Sequence, residues 1–404
     1  MRSGLSAIRC YVGTGWFVDL LHDWTSLFSN YPQGSSGWTG ADGIYAANLD
    51  GIDYDFSRRP EDKKTFFIFS DTFTSTVNPV TGERPGGPSM PRNTRATLSG
   101  GFPRSVNMNF VTSAINMNPP VTAENYWLGD TFVVGDKVYI YTMIIHNYGG
   151  MWGFKQVGVD LARFTIRDGA VDESSLAVFK DTNKRLSDIT GGLEDADPKW
   201  YLGGAVFENT AAAGALKPDG YIYVYGYYDY NSPSNRRMIV ARVQPDELED
   251  FTRYEYLWSD NTWKAQAWGA NPDNPKFLTS YFCNVEFSVH EVKAGPDAGK
   301  FYHVYMAPVF TDDWVRLAVA DGPASVFSGN KMIFRSVDPF NQIPPDGQTP
   351  NGGMYVYNAK AHPAISTEYE LYITYNVNGG NTSKYADIYR PRFIRYAQVP
   401  LTAP

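Results

Sequence analysis

Two aspartates near the start of the chain each stand at one end of a strand-like run. Asp42 lies in GWTGADGIYAANL (37–49), and Asp71 lies in KTFFIFSDTFTS (64–75). Two carboxylates brought together in a partly dry site shift each other's pKa apart, as the acid/base hydrolysis of a glycosidic bond requires. The alternative for both is a turn-capping role, in which the side chain bonds to nearby backbone.

Three further acids stand on segments with strand character. Glu208, in AVFENT, is either an outward-facing residue or a buried acid with a raised pKa. Glu286, in CNVEFSVHEV, alternates with Asn284 and Ser288, so all three are expected on one face. Asp130, in WLGDTFVV, has either a binding role or a structural one. We expect these acids to meet Asp42 in one site.

Candidate substrate contacts come from a loop and from tryptophans. SMPRNTRATLSGG (89–101) places Arg92 and Asn93 shortly after Asp71, where they could bind sugar hydroxyls or a carboxylate. The alternative for them is an ordinary surface loop. Trp38 and Trp127 are predicted in or near connecting loops, as stacking platforms for sugar rings if exposed and as packing residues if buried.

The chain has two histidines on candidate inner strands, His290 in FSVHEV and His362 in NAKAHPAI. We assign His290 to substrate binding and His362 to a metal, with a structural calcium ion in the channel, bridged to His through water, as the hypothesis. The alternative is that both are buried histidines with satisfied hydrogen bonds. H-E-x-x-H, P-loop, G-x-G-x-x-G and G-x-S-x-G motifs are absent, so no cofactor is expected to be required.

The elements that would position these residues repeat along the chain. Five very aromatic strands recur roughly every 70 to 85 residues: TFFIFSDTF (65–73), KVYIYTMII (137–145), GYIYVYGYYDY (220–230), KFYHVYMAP (300–308) and ELYITYNVN (370–378). Each follows a candidate inner strand and a hairpin turn, and is followed by one or two more strands. The pattern predicts an all-β fold, a five-bladed β-propeller of four-stranded antiparallel blades, as a single domain over 1–404. A β-sandwich joined to a second unit is the alternative.

Composition narrows the class of partner. Aromatic residues make up 15 % of the chain and charged residues 19 %, which favours a strand-rich fold. The net charge of −8 argues against a nucleic-acid partner.

The chain contains no run of about 18 apolar residues, so the sequence predicts no membrane span. The N-terminus shows no signal peptide; we favour a secreted or periplasmic protein whose signal has been removed over a cytoplasmic one. Cys10 and Cys283 either pair or do not.

The first two motifs together resemble a family. ADGIYAANLDG followed by TFFIFSDTF resembles the paired motifs of endo-D-arabinanases and of related bacterial domains, which are five-bladed propeller glycoside hydrolases. The resemblance implies that Asp42 and Asp71 are the catalytic pair. The chain departs from the family pattern at Ala41, where Thr is common, and at Ser70, where Gly is common. The related arabinanases use an Asp, an Asp and a Glu from blades 1 to 3, which implies Asp42, Asp130 and Glu208.

The sequence thus predicts a glycoside hydrolase acting on a polysaccharide or oligosaccharide with furanoside, arabinan-like linkages. Asp42 would activate water or attack the anomeric carbon, and Asp71 or Glu208 would protonate the leaving oxygen. Glu286 and Arg92 would bind the sugar or tune the acid. The alternatives are a non-catalytic carbohydrate-binding propeller and a polysaccharide lyase that uses His290, His362 or Arg92.

Overall fold

The computed structural model describes residues 10–11, 16–31, 36–117, 124–147, 153–185, 200–229, 235–269, 271–308, 311–336, 354–379 and 381–398. The first elements along the chain are β1 (Cys10–Tyr11), β2 (Trp16–Leu20), α1 (His22–Leu27) and β3 (Gly37–Ala41). Helix α1 was not predicted; with six residues it is too short to show a helical hydrophobic period. Its Trp24 and Leu27 are nevertheless buried.

Five antiparallel sheets follow one another as the blades of a propeller, which confirms the predicted fold class. Blade 1 consists of β4 (Tyr45–Asn48), β5 (Lys64–Phe69), β7 (Thr94–Ser99) and β8 (Met108–Val111), while β6 (Thr72–Ser75) leaves the blade and pairs with β3. Blade 2 consists of β9 (Glu124–Val134), β10 (Lys137–Asn147), β11 (Phe154–Arg167) and β12 (Ala170–Arg185).

Blade 3 has a fifth, short strand at its outer edge. Its strands are β13 (Trp200–Asn209), β14 (Tyr221–Asp229), β15 (Arg236–Val243), β16 (Glu255–Leu257) and β17 (Trp263–Lys264). Blade 4 consists of β18 (Ser288–Glu291), β19 (Phe301–Met306), β20 (Trp314–Ala320) and β21 (Ser328–Arg335). Short 3-10 turns lie at Phe56–Arg58, Ser105–Asn107, Pro245–Glu247, Phe251–Arg253 and Pro363–Ile365.

Blade 5 closes the ring with strands from both ends of the chain. It consists of β22 (Tyr355–Ala361), β23 (Glu370–Asn378) and β24 (Pro391–Gln398), to which β2 and then β1 add. From blade 1 to blade 5 the first strand of each blade contacts the first strand of the next, and the 3-10 turn Pro363–Ile365 after β22 contacts β4. The five inner strands (β4, β9, β13, β18 and β22) therefore surround the central channel.

The aromatic strands supply the packing between blades. The second strands β5, β10, β14, β19 and β23 are almost wholly buried. Their side chains join clusters that span neighbouring sheets, such as the one that places Tyr141 of blade 2 beside Trp200 and Tyr227 of blade 3. Burial of large aromatic side chains contributes strongly to stability. The repeated aromatic strands therefore supply the packing between blades that stabilises the ring.

Candidate functional site

All five inner strands run in the same direction along the channel. Between blades 1 and 2, Ser70 Oγ accepts a hydrogen bond from Leu128 N (3.0 Å), and Gly51 lies against Val133 further along. Matching contacts link the other neighbours: Asp130 with Val206, Gly204 with Val285, Glu286 with Asn358, and Tyr357 with Asp42. We call the end where these strands begin the front mouth and the end where they finish the back mouth.

Asp42 and Asp71 are neighbours at the front mouth. Asp42 N donates to Asp71 O (3.4 Å), and Ser70 N donates to Asp42 O (2.9 Å). The close approach depends on Gly43, whose φ is +54° and where an added Cβ would lie 2.2 Å from Ser70 Oγ. The order of residues in the first motif, Asp followed by Gly, thus allows the two aspartates to share one site.

The environment of Asp42 favours its protonated form. Burial, followed by the negative charges of Asp71 and Glu286, raises the pKa of Asp42 to about 8. Hydrogen bonds from Tyr389 and Tyr357 oppose this rise, and the Tyr357 hydroxyl donates to Asp42 Oδ2 at 3.1 Å. Because the pKa lies above neutrality, this carboxyl can hold a proton at pH 7.

The pKa of Asp71 is set by a different combination of effects. Its pKa is raised by burial, while the guanidinium of Arg92 and a hydrogen bond from Trp127 oppose the rise. Arg92 Nη1 donates to Asp71 Oδ1 (3.3 Å) and Oδ2 (3.4 Å), and the Arg92 side chain is 53 % exposed. Two adjacent carboxyls, one of them next to a cation, can divide one proton unequally between them.

Glu286 lies on the same side of the channel but is already paired. Its Oε2 forms a buried ion pair with Lys360, and its Oε1 accepts a hydrogen bond from Asn358 Nδ2 at 2.7 Å. The Lys360 ammonium also lies 4.2 Å from the centre of the Tyr45 ring. Glu286 also lies close enough to Asp42 for its negative charge to raise the pKa of Asp42.

Glu208 does not lie with Asp42. It is the next-to-last residue of β13, at the back mouth, and it lines a cavity of about 90 Å³ to which neither Asp42 nor Asp71 contributes. Burial raises its pKa well above the usual range, and so do the charges of Asp53 and Asp130. On blade 3 the residues level with the front mouth are Gly203 and Gly204. The expectation that Glu208 meets Asp42 was wrong, because the length of β13 separates the two mouths.

Other predicted contacts have structural partners. The side chain of Asn93 accepts from Ile115 N (2.7 Å) and donates to Ile115 O (3.2 Å), so its amide is committed to the fold. Asp130 accepts from Val206 N (2.7 Å) and Thr131 N (2.9 Å), which links blades 2 and 3; burial raises its pKa to about 7. Both residues join segments of backbone.

The two predicted tryptophans differ in exposure. Trp38 is buried between Phe28, Phe69 and Phe110, so the packing alternative describes its position. Trp127 is half-buried at the front mouth, where its ring meets that of Phe154 edge-on at 4.8 Å. Of the two, only Trp127 lies next to the paired aspartates.

The histidines lie toward the back of the channel. His362 is buried and its Nε2 contacts Thr374 Oγ1 (2.7 Å), and burial lowers its pKa to about 3. His290 is buried with neither ring nitrogen hydrogen-bonded, and its pKa is likewise lowered to about 3. Within the residues that the structure describes, no three His, Cys, Asp or Glu side chains form a metal-binding group, so His362 lacks the companions that a direct ligand needs. Cys283 is a buried free thiol.

Two tyrosines of the site were missed by sequence reasoning. Tyr357 precedes the polar residues of β22, and Tyr389 lies in the loop before β24. The backbone has a positive φ at Asn358, next to Tyr357 (+58°), and at Tyr389 itself (+77°). Asn often adopts the left-handed region, but Tyr rarely does, so no sequence signal marks Tyr389.

A family model described as a domain of unknown function, DUF5005, matches residues 25–398. The chain belongs to the DUF5005 family. No curated protein matches the sequence significantly.

Several solved structures are similar to this DUF5005 chain. One, from Bacteroides ovatus ATCC 8483 and described as a candidate hydrolase, is 18 % identical, covers 96 % of this chain and 93 % of its own, and has a TM-score of 0.65. An exo-1,5-alpha-L-arabinanase from a bovine ruminal metagenomic library is 8 % identical over 91 % and 95 % (TM-score 0.45). A B. megaterium levansucrase variant is 11 % identical over 93 % and 88 % (TM-score 0.47).

Proposed function

We propose that this chain is a glycoside hydrolase whose catalytic pair is Asp42 and Asp71 at the front mouth. The observation that carries the proposal is the direct backbone pairing of these two residues, with one carboxyl among negative charges and the other beside Arg92. Glycosidases use two carboxyl groups in unlike protonation states, and this environment separates the two. No helix among the described residues has the length and apolar character of a membrane span.

The role of each aspartate follows from which of the two carboxyls carries a proton. Asp42, with its pKa of about 8, gives its proton to the glycosidic oxygen as the bond to the anomeric carbon breaks. The Asp71 carboxylate either accepts a proton from the attacking water or attacks the anomeric carbon itself, forming a glycosyl ester that water then cleaves. This assignment reverses the roles that the sequence suggested for the two residues. Arg92 and Trp127 hold Asp71 and border the sugar.

The substrate class is the finer part of the proposal. Furanoside, arabinan-like linkages are proposed from the resemblance of the first two motifs, and the substrate is a polysaccharide or oligosaccharide. The lyase alternative requires a base at the site, yet burial raises the pKa of Tyr357 and of Tyr389 well above the ordinary value, which keeps both protonated and so unavailable as bases near neutral pH. The two histidines lie toward the back of the channel. These features favour hydrolysis.

No step of this mechanism uses a metal. Calcium in the channel stays a prediction, and the contact of His362 with Thr374 does not support its assignment as a direct ligand. Secretion or export to the periplasm likewise stays a prediction.

The test is digestion of a panel of plant and mycobacterial polysaccharides by the wild type, Asp42→Asn and Asp71→Asn. We expect the wild type to release reducing ends from a furanoside polymer and both variants to lose activity about 10²- to 10⁴-fold. Asp62→Asn, an exposed change in blade 1, is the matched control. Unsaturated, ultraviolet-absorbing ends would indicate a lyase, and binding without products would indicate a lectin.

An aryl glycoside separates the two roles. A good leaving group needs little protonation, so Asp42→Asn should recover much of its activity on an aryl furanoside while Asp71→Asn should not. Normal cleavage of the polymer by both variants would overturn the site, and the absence of any cleaved glycan in the panel would overturn the proposed activity. NMR of the first-formed product gives the anomeric outcome.

A further inference from the structure

Asp42 receives hydrogen bonds from two tyrosines that come from different parts of blade 5. The Tyr357 hydroxyl donates to Asp42 Oδ2 at 3.1 Å, and the Tyr389 hydroxyl also bonds to the Asp42 side chain. Both tyrosines are buried. The hydroxyls keep their protons well beyond the neutral range because burial raises the pKa of each. Both can therefore serve as donors throughout the pH range of the site.

The backbone that presents Tyr357 is irregular. Strands β22 and β23 lose their register between Tyr357 and Lys360, and Asn358 in this interval has a φ of +58°. An irregularity of this kind re-aims the side chains on either side of it. Tyr357 consequently reaches Asp42 while Lys360 reaches Glu286.

The backbone at Tyr389 is strained and held from several sides. A φ of +77° at a bulky, non-glycine residue is strained and persists only where the surroundings impose it. Tyr389 N donates to Val377 O at 2.9 Å, and its ring packs edge-on against Phe73 at 5.1 Å. An added Cβ at Gly40 would lie 2.2 Å from Tyr389 O, so only glycine permits this approach.

We infer that Tyr357 and Tyr389 are positioning residues that orient the Asp42 carboxyl and stabilise its ionised form. Strain at Tyr389 is tolerated because it brings a hydroxyl donor to a carboxylate that sits among other negative charges. The inference rests on the proposed function only in giving Asp42 an acid role; the contacts themselves do not depend on it.

The groups that act on Asp42 from the surrounding elements set the direction of the expected change. Asp71 and Glu286 raise its pKa, whereas the two tyrosine donors lower it. The phenols whose ionisation would interact with Asp42 are Tyr45, Tyr355, Tyr357 and Tyr389. Removing a donor while the two acids remain must therefore raise the pKa of Asp42 further.

The experiment is a titration of Asp42 in Tyr357→Phe, Tyr389→Phe and the double variant. Carboxyl-labelled aspartate followed by ¹³C NMR, with Asp42→Asn to assign the signal, reports the pKa without any substrate. We expect an upward shift of about one pH unit for each single change and a larger one for the double change. If the proposed activity is present, the alkaline limb of its pH–rate profile should move by the same amount.

Tyr31→Phe is the matched control. The Tyr31 hydroxyl donates to Ala386 O at 2.9 Å, so its removal loosens the same loop without touching Asp42. We expect this variant to lose stability while the Asp42 signal titrates as in the wild type.

The outcomes separate this inference from the proposed function. A shifted Asp42 titration in a protein that cuts no glycan would support the positioning role and overturn the hydrolase. An unchanged titration in both folded Phe variants would overturn the positioning role and leave the hydrolase standing. Should Tyr389→Phe fail to fold, Tyr357→Phe alone decides, because its hydroxyl contact is independent of the strained residue.

Discussion

At the residue scale, the pKa of Asp42 couples function to stability. The carboxyl has an ordinary value of 3.8 when unfolded and about 8 when folded, so the folded state binds an additional proton between these values. The free energy of unfolding must then fall as pH rises from about 4 to about 8. A carboxyl kept protonated in this way lowers the stability of the fold at alkaline pH.

The first prediction at this scale concerns Asp42→Asn. Because the amide cannot ionise, the variant should lack the loss of stability that Asp42 causes in the wild type. The free energy of unfolding of the variant minus that of the wild type should therefore be larger at pH 9 than at pH 5. Urea unfolding at both pH values measures this difference. Asp62→Asn should show no such pH dependence. A constant difference between pH 5 and pH 9 would contradict the raised pKa.

At the element scale, two consecutive residues of one loop have opposite tasks. Arg92 extends an exposed side chain to Asp71, while Asn93 is buried and bonds to the backbone of Ile115. The sequence suggested sugar binding for both. It could not separate them, because their burial depends on the path of residues 113–117, which lie on another segment of blade 1.

We expect Asn93→Ala to lower the free energy of unfolding by about 2 kcal/mol, because it leaves the buried Ile115 N–H and C=O without partners. Arg92→Ala should change stability by less than about 1 kcal/mol, since the Arg92 side chain is 53 % exposed and its ion pair with Asp71 is only partly buried. Chemical denaturation of the two variants makes the comparison. Equal stability losses would show that the loop does not divide the two tasks in this way.

Also at this scale, the strands were more predictable than their positions along the channel. The segment ELYITYNVN coincides with β23, and RRMIVARV coincides with β15, because burial on both faces gives each a continuous apolar or aromatic run. Inner strand β18 is shorter than expected, with Asn284 and Glu286 in the segment before it. The position of Glu208 along the channel depends on how neighbouring blades are aligned, and no residue pattern within one strand encodes that alignment.

At the scale of the whole molecule, one strand pair joins the N-terminal segment to the last blade. Strand β2 pairs with β24, and across this pair Arg395 donates to both oxygens of Asp19, at 3.0 and 2.7 Å. Asp19 is buried, and Arg395 also pairs with Glu370 of β23. This ion pair is a bidentate, partly buried contact, the kind that contributes measurably to stability. The sequence predicted five blades but not that the N-terminal segment completes the last.

We expect Asp19→Asn to lower the free energy of unfolding by about 1–3 kcal/mol, because Arg395 loses its bidentate partner at the closure. Asp313→Asn is the matched control; its pair with Arg335 lies on the surface of blade 4, and its loss should cost under about 1 kcal/mol. Thermal or urea unfolding distinguishes the two. A loss for Asp19→Asn no greater than for the control would mean that the pair does not hold the ring closed.

The origin of the Asp42 donors has a consequence for biosynthesis. Tyr357 lies 315 residues after Asp42, and Tyr389 follows later still. A nascent chain emerging from the ribosome would lack both hydroxyl donors to Asp42 until the last blade has been made and docked. Truncated translation products would therefore contain the aspartate without the two tyrosines that bond to it.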